Sequence, residues 1–321
     1  MRVRSVLLIC FLLIIGVSLV AWNLSGRTPA RLAIHPWIGY QSLTLCEQEG
    51  LLDARQVRLV STASASESSR MLREGLVDGA AMTLDDVLSL RNDGVPLTVV
   101  LFFDASAGAD LLLARPDIST LAQLKGRTIG MEDSTLGRLI LAEALAQAGL
   151  TAQDVRLCYE IVFHHDELWR QGNVDALITY LPVSDDISRE SHCLFDSHQI
   201  PNMVLDVLAV RSDRLDSLRP ALEHLLEQHF YMLNRLLADN PDTLHRLAPL
   251  LGLSVEQVQS VLTKLTFPGL EWNQNHLNTE NPETKANLNR LIRVMQHSAL
   301  LGQRVDTAQL LDDSFLPRTF R

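Results

Sequence analysis

Eight polar or aromatic side chains stand where the chain leaves an apolar run, or open the helix-like segment after one: Trp37, Tyr40, Ser66, Thr83, Asp104, Ser134, Thr135 and Tyr180. In α/β proteins these are the positions that meet a small molecule. Trp37 and Tyr40 follow residues 31–35 and offer aromatic walls; core packing is the plain alternative for Trp37. Ser66, like Ser64, follows residues 57–61, and either hydroxyl could instead cap the helix that begins there. Thr83 follows residues 77–82, with Asp85 as a capping candidate for the next helix. Asp104 and Ser106 follow residues 96–103. Ser134 and Thr135 open a long helical segment, whose free backbone N–H groups favour an anionic or strongly accepting group. Tyr180 ends residues 174–180, where it could equally be a hydrophobic plug. Asp104 or Asp85 could pair with an ammonium, which would make the ligand a zwitterion.

Other chemistries have less to build on. His164-His165-Asp166 suggests a metal, but adjacent residues on a strand face opposite ways and no third ligand stands out; a polar loop after a strand is the better reading. Outside the N-terminal segment lie Cys46, Cys158 and Cys193, an odd number that leaves one thiol unpaired. Cys158 and Cys193 could pair, although buried reduced thiols are the preferred reading. There is no Cys-x-x-Cys, no Gly-rich phosphate loop and no nucleophile–base pair, so neither a cofactor nor catalysis is expected. A net charge of −10 without a basic block argues against nucleic-acid binding.

The elements that must position these groups are organised around a stretch used twice. Gly75-x-Val77-Asp78 and Gly172-x-Val174-Asp175 each follow a helix-like run and precede a small or apolar one. Each glycine can end a helix in the left-handed conformation, and the apolar run fits a strand covered on both faces. Two copies about a hundred residues apart predict two similar α/β lobes. The patterns predict strands at 31–35, 57–61, 77–82, 96–103, 110–114, 128–131, 155–163, 174–180, 193–196 and 204–210. Helices are predicted at 43–49, from the 61–67 hydroxyl-rich stretch to Glu74, and at 85–92, 119–126, 134–148 and 167–171. The rest reads as helices at 215–238, 241–251, 255–265, 283–300 and 307–311.

At the N-terminus, Arg2 and Arg4 precede an uncharged run of 17 residues, Val6 to Trp22. At about 1.5 Å per residue it spans roughly 26 Å, between a signal-peptide core and a membrane span. Residues 1–26 are therefore expected to be a signal peptide or an inner-membrane anchor, with the remainder exported.

Trp37-Ile38-Gly39-Tyr40, the two Gly-x-Val-Asp stretches and Leu121-x-x-Leu124-Lys125-Gly126-Arg127-x-Ile129-Gly130 occur in an order that resembles extracytoplasmic substrate-binding proteins of ABC importers. The group it is most similar to takes nitrate, sulfonates, taurine and thiamine precursors. Asn240-Pro241 and Leu253-Ser254-x-Glu256-x-Val258 fit that family's C-terminal helices. The resemblance implies a two-lobed type II periplasmic binding fold with two crossovers, lobe one being 31–108 plus 206–321 and lobe two 109–205. It implies a non-enzymatic protein that captures a small nitrogen- or sulfur-containing molecule or anion and passes it to an ABC permease. The alternative is an anchored periplasmic sensor reporting to a membrane signalling receptor. A thiamine-pyrimidine-synthase-like enzyme is the weakest reading, because that group's cysteine-rich motif is absent.

Overall fold

The computed structural model describes residues 28–238, 241–302 and 305–318; the expected leader at 1–26 lies outside the described residues. Among those residues no helix is long and apolar enough to cross a membrane. Two mixed sheets with helices packed on them form an α/β fold. The first contains β1 (Ala30–Ile34), β2 (Val57–Ser61), β3 (Gly79–Thr83), β4 (Leu97–Ser106), β10 (Leu205–Arg211) and β11 (Leu265–Thr266), in the order β11-β4-β10-β3-β1-β2. The second contains β5 (Asp110–Ala114), β6 (Thr128–Met131), β7 (Arg156–Tyr159), β8 (Ala176–Tyr180) and β9 (His192–Asp196), in the order β7-β6-β8-β5-β9. In each sheet three parallel strands (β2-β1-β3 and β7-β6-β8) meet an antiparallel neighbour, β10 or β5. The chain passes between sheets twice, from β4 to β5 and from β9 to β10.

The repeated Gly-x-Val-Asp has the same structural job in both sheets. Gly75 and Gly172 each sit at φ 70° in open surroundings, so the helix can end there without a Cβ penalty. The aspartate that follows reaches the neighbouring strand. Asp78 accepts from the Arg31 backbone N–H at 2.9 Å and Asp175 from that of Thr128 at 2.7 Å. Their own N–H groups donate back to the carbonyls of the same two residues. A carboxylate thus satisfies a strand-start amide that has no ladder partner. Both aspartates are structural, far from the strand ends that carry the site.

β4, the longest strand of the first sheet, lies beside the two-residue edge strand β11, and its outer edge is closed piecewise. β11 pairs with Ala105 and Ser106; Asn273, fully buried on helix Leu270–His276, bonds both the N–H and the carbonyl of Phe102. Leu310 and Asp312 bond Val99. This edge overturns the helix expected at 307–311: an unpaired strand edge exposes backbone groups that the C-terminal segment satisfies in extended form, with Gln309 turning at φ 54°. Helices Asp185–Glu190 and Leu270–His276 were not anticipated, and the strand expected at 155–163 stops at Tyr159.

Cys46, Cys158 and Cys193 are all free thiols, and Cys193 is exposed rather than buried. Cys158 on β7 and Cys193 on β9 lie on opposite edges of their sheet. Four strand spacings of about 4.8 Å put them roughly 19 Å apart, far beyond disulfide reach.

Candidate functional site

The strand ends of both sheets face a common cleft, and its geometry starts from two helices. Helix Ala65–Arg73 is capped by Ser64, whose hydroxyl accepts from Glu67 N–H. Ser66, whose hydroxyl also bonds that of Ser64, reaches across: both its N–H (2.8 Å) and its hydroxyl (2.6 Å) donate to Glu132 Oε1, just beyond β6 in the other sheet. Helix Thr135–Gln147 is capped by Ser134, accepting from Gly137 N–H. Its first residue, Thr135, lies beside Asp86 of helix Leu84–Asn92 on the first sheet, where the Thr83 hydroxyl donates to Asp86 Oδ2 at 3.2 Å. Each helix start therefore lies beside a carboxylate from the opposite half, which suits the partial positive charge there. The position expected at Ser134 and Thr135 to hold an anionic group lies beside the protein's own Asp86.

Aromatics close the cleft beside these pairs. Trp37, 4% exposed, donates its indole N–H to Asp104 at 3.2 Å. Its ring meets Tyr180 edge-on, with centroids 5.2 Å apart at 86°. The Tyr180 hydroxyl donates to the Pro36 carbonyl at 2.9 Å. Gly39 is required where this corner is tightest: a Cβ there would lie 1.8 Å from Asp104 Oδ2 and 2.7 Å from the indole nitrogen.

The enclosed space is lined by Trp37, Thr83, Ser134 and Tyr180 of the expected set, but also by Asp86, Asp110, Glu132 and Asp206. Leu136, Ile140, Val162 and Ile178 form its apolar side. About 50 Å³ remains in this closed arrangement, room for a few waters, so an organic ligand requires the halves to part. Ser66, Asp104 and Thr135 lie outside that lining and hold its walls in place. Tyr40 is fully buried beneath the site and cannot be a wall; its hydroxyl donates to Asp206, and its ring packs against His35 and Phe103. Asp85 is fully buried with both carboxylate oxygens unpartnered, so Thr83, not an aspartate, starts the helix at Leu84.

The electrostatics are one-sided. Burial pushes Asp110 and Asp86 up to about 6 and Asp104 up to about 7, and raises Asp206 strongly with help from the charge on Asp104. His35, in the same lining, is pushed down to about 4 by burial and is neutral near pH 7. Among the described residues none of the carboxylates lining the cleft is in an ion pair. The sequence reading missed Asp86, Asp110, Glu132 and Asp206; the usable signal was an aspartate inside an apolar run, as at Asp206 within 204–210.

His164 and His165 do not converge. Exposed His164 bonds Glu160, whereas His165, buried, bonds Thr179 and the Glu160 carbonyl. They begin a helix rather than sit on a strand, which splays the rings differently from the expected arrangement.

No curated protein matches the chain. Solved structures share the fold at low identity. The alkanesulfonate-binding protein SsuA from Xanthomonas axonopodis pv. citri bound to MOPS aligns with a TM-score of 0.71 at 18% identity, over 88% of this chain and 98% of its own. The periplasmic aliphatic sulphonate binding protein SsuA from Escherichia coli gives 0.70 at 18%, over 89% and 92%. The desulfurization enzyme DSZB gives 0.60 at 17%, over 89% and 97%. The chain thus has the periplasmic-binding-protein fold, and that fold also carries an enzyme. The family model described as NMT1/THI5 like matches residues 47–229, more than half of the sequence, and the chain belongs to that family.

Proposed function

We propose that this chain is an extracytoplasmic solute-binding protein that closes two lobes, 31–108 plus 206–321 and 109–205, over a small organic molecule and delivers it to an ABC permease. One observation carries the reading: a set of contacts between the two halves frames a single cavity. Ser66–Glu132, Thr135–Asp86, Tyr180–Pro36 and the Trp37–Tyr180 ring contact surround it. Individually such bonds are worth about 0.5–3 kcal/mol, few enough that opening is accessible and a ligand bridging both walls tips the balance. Binding of sulfonates and of MOPS by proteins of this fold supports a small-molecule ligand. An enzyme reading finds no nucleophile–base pair in the lining.

The test is a thermal-shift screen of the exported protein with amines, amidines, sulfonates, nitrate and pyrimidines, followed by mass spectrometry of the recovered compound. A ligand that binds the folded state alone raises the melting temperature in proportion to the logarithm of its concentration over Kd. The expected result is a saturable rise with the compound recovered unchanged. Chemical conversion of the bound compound, or no shift with any class, would overturn the reading.

A further inference from the structure

The cleft wall is built for a charge that the protein itself does not supply. Asp86, Asp110, Glu132 and Asp206 all line one small cavity, and its lining contains no lysine or arginine. The only basic side chain there, His35, is buried and neutral. Glu132 is partly satisfied by Ser66, Asp86 by the Thr83 hydroxyl and Asp206 by Tyr40. Asp110 differs. It is 4% exposed, it stands at the start of β5 opposite Tyr180, and its Oδ2 has no hydrogen-bond partner. A buried carboxylate oxygen without a donor is costly unless something else provides one.

The same geometry leaves little for an anion. The Ser66 N–H at the start of helix Ala65–Arg73 is taken by Glu132, and the start of helix Thr135–Gln147 already lies beside Asp86. An anion would have to displace these carboxylates and then remain beside them. Trp37 and Tyr180, in contrast, put aromatic rings next to carboxylates, the combination that recognises organic cations. Leu136 and Ile140 face them with an apolar surface suited to a compact hydrocarbon body.

We propose that the cleft selects a small organic cation, an ammonium or amidinium whose N–H donates to Asp110 while its apolar body lies against Trp37, Tyr180 and Leu136. The assignment rests on the solute-binding reading and narrows it: the ligand differs in charge from the sulfonates named for proteins of this fold. Burial raises the carboxyl groups of Asp110 and Asp86, and a cation seated among them relieves the cost of ionising them.

The experiment uses probes matched in shape and different in charge: benzylamine, benzamidine, benzyl alcohol and benzenesulfonate, with agmatine and methanesulfonate as longer and shorter arms. Each is titrated calorimetrically into the wild-type protein, Asp110→Asn and Asp86→Asn at neutral pH, with each variant's fold checked by its melting curve. Binding is expected from a cation, at least tenfold tighter than from its uncharged or anionic counterpart. Benzylamine against benzamidine separates ammonium from amidinium. Asp110→Asn is expected to weaken the cation at least tenfold, and to leave the weak binding of benzyl alcohol within about twofold. Asp86→Asn, which keeps an acceptor for the Thr83 hydroxyl, gives a second reading should Asp110→Asn fold poorly. Preference for benzenesulfonate or methanesulfonate overturns the charge assignment and leaves the solute-binding reading intact. Cation affinity unchanged in both variants overturns the placement at Asp110. A blank from every cation overturns the assignment, and a blank in the wider screen as well overturns the solute-binding reading.

Discussion

Asp110→Asn should stabilise the ligand-free protein, and the gain should depend on pH. Burial holds the Asp110 carboxyl at about 6 in the folded chain, against an ordinary value of 3.8. The difference, about two pKa units, is roughly 3 kcal/mol of penalty against the folded state once the group is ionised in both states. The sign follows from the raised value. Folding costs nothing extra below about pH 4, where both states are protonated. The penalty grows as pH rises through 6 and is constant above about 7. Asparagine removes the charge but leaves an amide that lacks a partner where Oδ2 now lies, at a cost of about 1–2 kcal/mol. The net expectation is a gain of about 1–2 kcal/mol at pH 8, or roughly 2–5 °C in Tm for a chain of this size, shrinking to nothing near pH 4.5. Calorimetric melts of both proteins at pH 4.5, 6 and 8 give the comparison directly. His35 and His229, pushed down by burial to about 4 and about 3, lower stability on acidification in both proteins and cancel in the difference. A variant less stable at pH 8, or stabilised equally at all three pH values, would refute the argument. The wild-type aspartate would then be satisfied by some group other than a ligand.

Three further outcomes follow from the cleft. Gly39→Ala forces its Cβ into Asp104 and the Trp37 indole, so it should cost about 1–3 kcal/mol in urea denaturation and shift the tryptophan fluorescence; an unchanged midpoint would contradict the close packing. Trp37→Ala should weaken whichever ligand the screen finds by about 1–3 kcal/mol in calorimetric titration, and an unaltered Kd would remove Trp37 from the site. Thr135→Pro should fold, because Thr135 is the first helical residue and Ser134 before it is extended, at φ −121° and ψ 163°. It removes the N–H and hydroxyl that lie beside Asp86 and should weaken closure by about 1 kcal/mol, read as a larger radius of gyration by small-angle scattering; no change would show that this pair does not hold the halves together.

Much of the local order was legible because it is written in local chemistry. Residues 57–61, 110–114 and 128–131 are strands as expected, since short apolar, β-branched runs bounded by polar turns have one good solution. Ser64 and Ser134 cap their helices through side-chain bonds to Glu67 and Gly137, three residues on. The segment 307–311 was misread because its local pattern is helical while the open edge of β4 lies two hundred residues away. The site divides in the same way. Trp37, Thr83, Ser134 and Tyr180 follow strand ends and do line the cavity. Asp85, expected as a cap, and Asp86 both lie inside the helix that begins at Leu84; successive residues point about 100° apart, so only Asp86 faces the cleft.

By itself the sequence determined the α/β class, the duplicated Gly-x-Val-Asp turn with its two left-handed glycines, and the strand ends from which a site had to be assembled. Only the tertiary structure decided what that site contains. Asp206 lies beside Asp104, and Asp110 opposite Tyr180, through strand register between segments up to about a hundred residues apart. Glu132 and Asp86 cross the cleft to helices of the opposite half. Locally, Asp86 and Glu132 read as ordinary turn or cap residues. Their shared burial without a cation follows from which strands pair, and pairing is set by the packing of the whole chain, not by any stretch of it.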